Sequence, residues 1–355
     1  MKKTTKYLLL VVLMFIGVTL LTISKTTCAQ TVKELKLQSH LPASDINRGL
    51  PYFATMLEKL TGGRYKVKLY PVGAIVPAKE MLSALRAGTL DIVHYAEGYF
   101  SGEVPGTEAA SGLPMLFDEL SEAWYFMWYK GVVDILRDEY AKKGAYFIPW
   151  EAWPTALMTR KPVKTLDDLK GMKLRSWGGI AHLLTKCGAS VTFIPGGELY
   201  TALATGVVDG AHWDGAGPMF NMRFHEVLKY LLLPYLQYSW NNLLINKKIW
   251  DSMSPEDKIK FLTAAQASAY FGTMHTRVLE VYALEAMVRR FGVKVNMLPD
   301  DDVKRMQAIA VESWDEIAKR SSVDAAIVQK AKEMLKEKGT REAAERLNQC
   351  LGFPW

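Results

Sequence analysis

From Leu35 to Trp213, short apolar runs alternate with longer segments whose apolar residues recur at helical spacing. Leu35 to Ser39 reads as a strand ending at His40-Leu-Pro. A helix follows with Leu50, Phe53, Leu57 and Leu60 on one face, and Gly62-Gly63 stops it. Tyr65 to Tyr70 is the next strand. Pro77 opens a helix carrying Met81, Leu82 and Leu85, Gly88 ends it, and Thr89 to Tyr95 is a third strand. The order then returns. Met172 to Ser176 is a strand, and Gly178-Gly179 opens a helix with Ile180, Leu183, Leu184 and Cys187 on one stripe. Ser190 to Ile194 is a strand, a helix with Leu199, Ala202 and Leu203 stops at Gly206, and Val207 to Trp213 is a strand. This alternation predicts an α/β protein built of right-handed β-α-β units, with mixed, mostly parallel sheets and flanking helices.

The two blocks also match residue by residue. Leu82 to Tyr95 aligns without gaps on Tyr200 to Trp213, so that Ala84, Leu85, Gly88, Asp91 and His94 fall on Ala202, Leu203, Gly206, Asp209 and His212. Convergence of helix–Gly–strand units is one reading. The favoured one is two lobes of related build. Between the blocks, Ser101 to Leu116 is rich in Gly and Pro and reads as a surface loop. Asp118 to Lys143 reads as one helix, and Ala145 to Trp150 as a strand leading into a first crossing between lobes at Glu151-Ala-Trp153. Tyr235 to Asn246 is the return crossing, and two near-parallel strands there would form a hinge. Lobe I is expected over 30–150 plus about 240–285, and lobe II over 151–239 plus about 286–320. Helices over 321–355 follow. Ser254-Pro255 opens a helix running to about Arg290, long enough to brace both lobes, with Gly272 inside it.

The N-terminus changes the picture of charge and location. Lys2 and Lys3 precede a nearly unbroken apolar run from Tyr7 to Ile23, and Thr27-Cys-Ala29 offers small residues for cleavage. Residues 1–29 therefore read as an export signal, with an uncleaved anchor as the alternative. The formal charge of +7 falls to +3 without the four lysines of this segment. That mild balance gives no reason to expect a nucleic-acid partner. Cys187 and Cys350 are the cysteines that remain; no zinc or Cys-x-x-Cys spacing is present, and whether they pair is open.

Ligands of such sheets bind beyond the carboxyl ends of the strands. Those ends carry His40, Tyr95 and Glu97 in the first block, and Arg175, Trp177, His212, Trp213 and Asp214 in the second, with Trp150 and Glu151 at the crossing. A guanidinium beside the Gly178-Gly179 helix start suits a carboxylate or phosphate. The tryptophans are either core or an apolar wall around a few polar groups. No nucleophile elbow, Walker loop, His-Glu-x-x-His or dinucleotide fingerprint occurs. An exported enzyme acting on a small carboxylic acid, with His94 and His212 as acid–base groups, remains the alternative to a binder.

Leu60-Thr-Gly-Gly-Arg64, Tyr70-Pro-Val-Gly73, Ala87-Gly-Thr-Leu-Asp91, Gly171-Met-Lys-Leu-Arg175 and Ala204-Thr-Gly-Val-Val-Asp209, in this order, resemble the substrate-binding proteins of TRAP transporters, the DctP-type family. The resemblance implies a two-lobed periplasmic-type protein that closes on an organic acid at the outer face of the membrane and delivers it to a membrane permease. It places the carboxylate-binding arginine at Arg175. Members that bind 2-oxo and 2-hydroxy monocarboxylates carry Glu-Trp where His212-Trp213 stands, and their acid helps hold a bridging metal ion. Here the acid is displaced to Asp214, and a calcium or sodium ion would be held by Asp214 and Glu151. A homodimer through the C-terminal helices is a further expectation.

Overall fold

The computed structural model describes residues 32–337 apart from 44, 45, 47, 48 and 195; the export signal, Cys350 and 338–355 lie outside the described residues. The first lobe opens with β1 (Lys33–Ser39), α1 (Leu50–Leu60), β2 (Tyr65–Tyr70), α2 (Met81–Ala87) and β3 (Ile92–Ala96). β1 lies between β2 and β3, parallel to both. Next come α3 (Thr107–Ala110), α4 (Leu120–Trp128), α5 (Val132–Lys142) and the long strand β4 (Ala145–Thr159). The second lobe repeats the first with β5 (Lys173–Arg175), α6 (Gly178–Lys186), β6 (Ser190–Thr192), α7 (Gly196–Ala204) and β7 (Gly210–Asp214). Here β5 lies between β6 and β7 and parallel to both. The chain continues through α8 (Ala216–Asn221), α9 (Phe224–Val227), β8 (Tyr230–Asn246), α10 (Lys247–Ser252), α11 (Pro255–Phe291), β9 (Lys294–Met297), α12 (Asp300–Ala318) and α13 (Ser322–Glu337).

The internal repeat extends into the hydrogen bonds. Asp91 accepts from the Lys36 N–H at 2.7 Å, and Asp209 from the Lys173 N–H at 2.9 Å. Ser39 Oγ lies 2.8 Å from His94 Nδ1, and Ser176 Oγ 3.0 Å from His212 Nδ1. Gly88 and Gly206 end their helices at φ 82° and 76°, where a side chain is strained. In this correspondence Gln38 stands in lobe I where Arg175 stands in lobe II.

The expectation of near-parallel crossing strands is corrected. β4 and β8 are antiparallel and long enough to belong to both lobes. They join the halves into one nine-stranded sheet, ordered β2-β1-β3-β8-β4-β7-β5-β6 with β9 on β8. Both faces of the central pair are covered, which is why β4 is buried at every residue but Tyr146, its polar Glu151, Thr155 and Thr159 included. The ladder slips between Pro149 and Glu151 and again between Thr155 and Leu157, where Leu233 to Leu236 leave β4. Such bulges bend strands and mark the line between the lobes.

Two further expectations change. Asp118 to Lys143 is broken into α4 and α5 by Gly131 at φ 74°. The Gly/Pro-rich stretch before it is no surface loop, for Thr107 to Phe117 are buried. Their backbone groups are satisfied from other elements: Asp324 accepts from Gly106 and Ala109, and Leu236 O accepts from Met115 at 2.8 Å. Burial became possible because distant residues supply these partners. The brace is as expected. α11 starts at the Ser254 cap, whose Oγ accepts from Asp257 N–H at 3.1 Å, and packs on both α1 and α8. Its buried face is mostly small, with Ala264, Ala265, Ala269, Gly272 and Ala283, so it lies close to the sheet. Among the described residues no helix is long and apolar enough to cross a membrane.

Candidate functional site

The carboxyl ends of the two sets of parallel strands face each other. On the lobe I side, His40 follows β1, and a 3-10 turn over Glu97–Phe100 follows β3. On the lobe II side stand Arg175 and Trp177 after β5, Phe193 after β6, and Trp213 and Asp214 at the end of β7. The walls touch at Gly98, where an added Cβ would meet the Trp177 ring at 2.1 Å. Glycine at 98 is what lets the ring lie against the facing backbone.

Arg175 is the centre of the lobe II wall and is 3% exposed. Its Nε donates to Ile194 O at 3.0 Å and its Nη1 to His212 O at 2.9 Å. The guanidinium carbon lies 4.6 Å from the Trp213 ring centroid and 5.5 Å from that of Phe193, both cation–π distances. Nη2 has no protein acceptor among the described residues, and no carboxylate forms a salt bridge with this cation there. Burial lowers the Arg175 pKa to about 10, while Tyr99 and Asp214 pull the other way. The side chain is therefore still a cation at neutral pH, largely stripped of water and held in a fixed orientation. Such a group has a strong electrostatic preference for an anion.

Tyr99 reaches this wall from lobe I. Tyr99 is 45% exposed as a residue, yet local desolvation raises its phenol pKa, Arg175 lowers it and Asp214 raises it, so the three groups share one field across the cleft. The His40 ring lies 5.3 Å from that of Tyr99, and its Nε2 is 3.1 Å from Asn241 Oδ1. Asn241 Nδ2 is buried without a partner among the described residues. His212 sits behind Arg175. Burial and then Arg175 lower its pKa to about 3, so the imidazole is neutral.

The structure thus brings together Arg175, Trp177, Trp213 and Asp214, with His212 as their support. It places the other sequence-derived residues elsewhere. Trp150 is fully buried in the lobe I core, donating to Ser268 Oγ of α11 at 2.7 Å. Glu151 Oε1 accepts from Gly49 N–H at 3.3 Å, and Gly272 of α11 leaves room for it. Glu97 and Tyr95 form a buried knot beneath the cleft. Glu97 accepts from Tyr95 at 3.0 Å, from Tyr140 at 2.9 Å, and from Asn242. Burial raises the Glu97 pKa to about 8. No group of three or more His, Cys, Asp or Glu suited to a metal ion occurs among the described residues. Asp214 is the carboxylate beside Arg175, so an ion there would draw its other oxygens from outside the acidic side chains. Sequence reasoning missed Tyr99, Phe193 and Asn241. The strand-end rule reaches the first two when extended by a turn; nothing local marks Asn241.

Two lobes of matching topology, a continuous antiparallel pair between them and a buried cation in the intervening cleft define a binder of small anions. A family model for bacterial extracellular solute-binding proteins, family 7 (DctP), matches residues 39–321, and the chain belongs to that family. A monocarboxylate 2-oxoacid-binding periplasmic protein of Nostoc sp. is 26% identical over 291 residues, 79% of this chain and 77% of that one. The 2,3-diketo-L-gulonate-binding periplasmic protein of Escherichia coli is 31% identical over 223 residues, covering 62% and 67%. A TRAP periplasmic solute-binding protein of Pseudoalteromonas atlantica, solved with sodium and pyruvate, superposes with a TM-score of 0.79 at 22% identity, covering 91% of this chain and 100% of that one.

Proposed function

We propose that this protein captures a small monocarboxylate, a 2-oxo or 2-hydroxy acid, by closing its lobes, and hands it unchanged to the membrane permease of a TRAP transporter. The observation that carries the reading is Arg175: a buried guanidinium, fixed by two carbonyls and two rings, with Nη2 unclaimed among the described residues. A ligand carboxylate supplies the anion, and hydrogen bonds to charged groups contribute roughly 1.5–3 kcal/mol each. Asp214 stands beside it, so a second ligand carboxylate meets like charge. A hydroxyl instead donates to Asp214, and a keto oxygen accepts from Tyr99 or joins a cation held at Asp214. Trp177, Trp213 and Phe193 suit a short alkyl or aryl tail. The Nostoc relative and the pyruvate-bound structure support the same ligand class.

Titration of the purified protein against a ligand panel, followed by tryptophan fluorescence, tests this. Pyruvate, lactate or branched 2-oxo acids should bind tighter than succinate or malate and be recovered unchanged. Tighter binding of the dicarboxylates contradicts the ligand class, and turnover contradicts the binder.

A further inference from the structure

Behind the lobe II wall, the brace helix delivers a carboxylate to the backbone that follows Asp214. Glu280 lies on the buried face of α11. Its Oε1 accepts from the Ala216 N–H, and its Oε2 from the Gly217 N–H at 2.7 Å. These are the first two N–H groups of α8, which find no partner inside the helix and carry its positive end. The Tyr235 hydroxyl donates to Oε1 at 3.0 Å. Tyr235 belongs to the stretch of β8 that leaves β4 at the second bulge. One side chain thus ties together the brace, a crossing strand and the start of α8. The carboxylate is also confined. A Cβ added to Gly215 would meet Glu280 Cδ at 2.6 Å. Gly215 has φ −59°, outside the left-handed region, so glycine there answers to space. The cavity beside Glu280, lined by Trp153, Pro218, Thr273 and Thr276 among others, measures about 10 Å³, the room of a single water.

We propose that Glu280 is a positioning residue of the ligand site: by clamping Ala216 and Gly217 from behind, it fixes where the Asp214 carboxylate stands beside Arg175, and so sets the preference for a ligand that carries a 2-hydroxyl. This rests on the reading of Asp214 as the acceptor of that hydroxyl. Asp214 is held from both sides. It is the last residue of β7, paired with Thr155 of β4, and the clamp begins two residues later. A carboxylate is the group the position calls for. Its two oxygens serve two N–H groups, and its charge suits the end of α8. A glutamine keeps the length and one acceptor oxygen but turns its amide NH2 toward the other backbone N–H. That N–H is then buried unsatisfied, and the chain after Asp214 has to shift. Arg175 is anchored through Ile194 O and His212 O, on the far side of Asp214 from the clamp. Loss of the clamp therefore costs the hydroxyl contact and spares the carboxylate contact.

Titration calorimetry with lactate and propionate reads the two contacts separately, since these acids differ in the 2-hydroxyl alone. Wild type should favour lactate by ~10-fold or more, as a hydrogen bond to a charged acceptor provides. Asp214→Ala should abolish that preference. Glu280→Gln should lower it by at least ~5-fold while propionate affinity holds, because one backbone N–H loses its acceptor. Gly215→Ala, which displaces the carboxylate without altering it, should do the same. In the Asp214→Ala background Glu280→Gln should change the ratio no further, since the two act as one unit. Melting temperatures followed alongside identify the folded variants. A wild-type ratio near one, or a ratio that Asp214→Ala leaves intact, overturns the reading of Asp214 and the proposal with it. A ratio that Asp214→Ala abolishes but that folded Glu280→Gln or Gly215→Ala protein keeps overturns the proposal alone. So does equal weakening of both acids, the mark of a structural role only.

Discussion

At the scale of single residues, the lobe I knot makes the sharpest claim about pH. Glu97 is fully buried, and its pKa of about 8 lies above the 4.5 of an ordinary glutamate. The folded state thus holds a proton that the unfolded state has lost. Its contribution to stability is unpenalised below the ordinary value and falls as pH rises through about 8. Glu97→Gln should flatten the decline in unfolding free energy, measured by urea titration between pH 5 and pH 8, by an amount on the order of a few kcal/mol. A wild-type decline equal to that of the variant contradicts this account. Legibility at this scale divided by what each residue touches. The placement of Arg175, Trp177, Trp213 and Asp214 at the lobe II wall was readable because a strand end fixes where a side chain emerges. Glu97, Tyr95, Trp150 and Glu151 share that address but turn toward partners far along the chain, namely Tyr140, Asn242, Ser268 and Gly272. No local pattern announces partners at that separation.

At the scale of elements, the period of the apolar residues was enough for the two β-α-β blocks, and the Gly88/Gly206 and Asp91/Asp209 matches were enough to relate them. Long-range pairing was not. Whether β4 and β8 run parallel or antiparallel depends on which neighbours each finds, and the burial of Thr107 to Phe117 depends on Asp324, Gln237 and Trp314. Gly98 shows how one element's backbone limits another's approach. Gly98→Val should push the Trp177 ring off the lobe I wall and lower ligand affinity by ~10-fold or more, at little cost in melting temperature, because the strain falls on the closed cleft. Unaltered affinity in a folded Gly98→Val protein would show that Trp177 is not part of the closing wall.

At the scale of the molecule, two lobes share one continuous sheet, and a long helix braces them from outside. Closure then has a specific meaning. In the proposed function, strand-end groups from both lobes, Tyr99 on one side and Arg175 with Asp214 on the other, would meet one ligand, and that ligand would favour the closed state by touching both. The account depends above all on Arg175 as the seat of the carboxylate. Isothermal titration of the tightest ligand from the panel into wild type, Arg175→Lys and Arg175→Ala measures this directly. The alanine variant should lose at least ~100-fold in affinity, as truncating one member of a buried, hydrogen-bonded charge pair does. The lysine variant should fall between, keeping the charge without the fork. Near-wild-type affinity in a folded Arg175→Ala protein would remove Arg175 from the site and contradict the account.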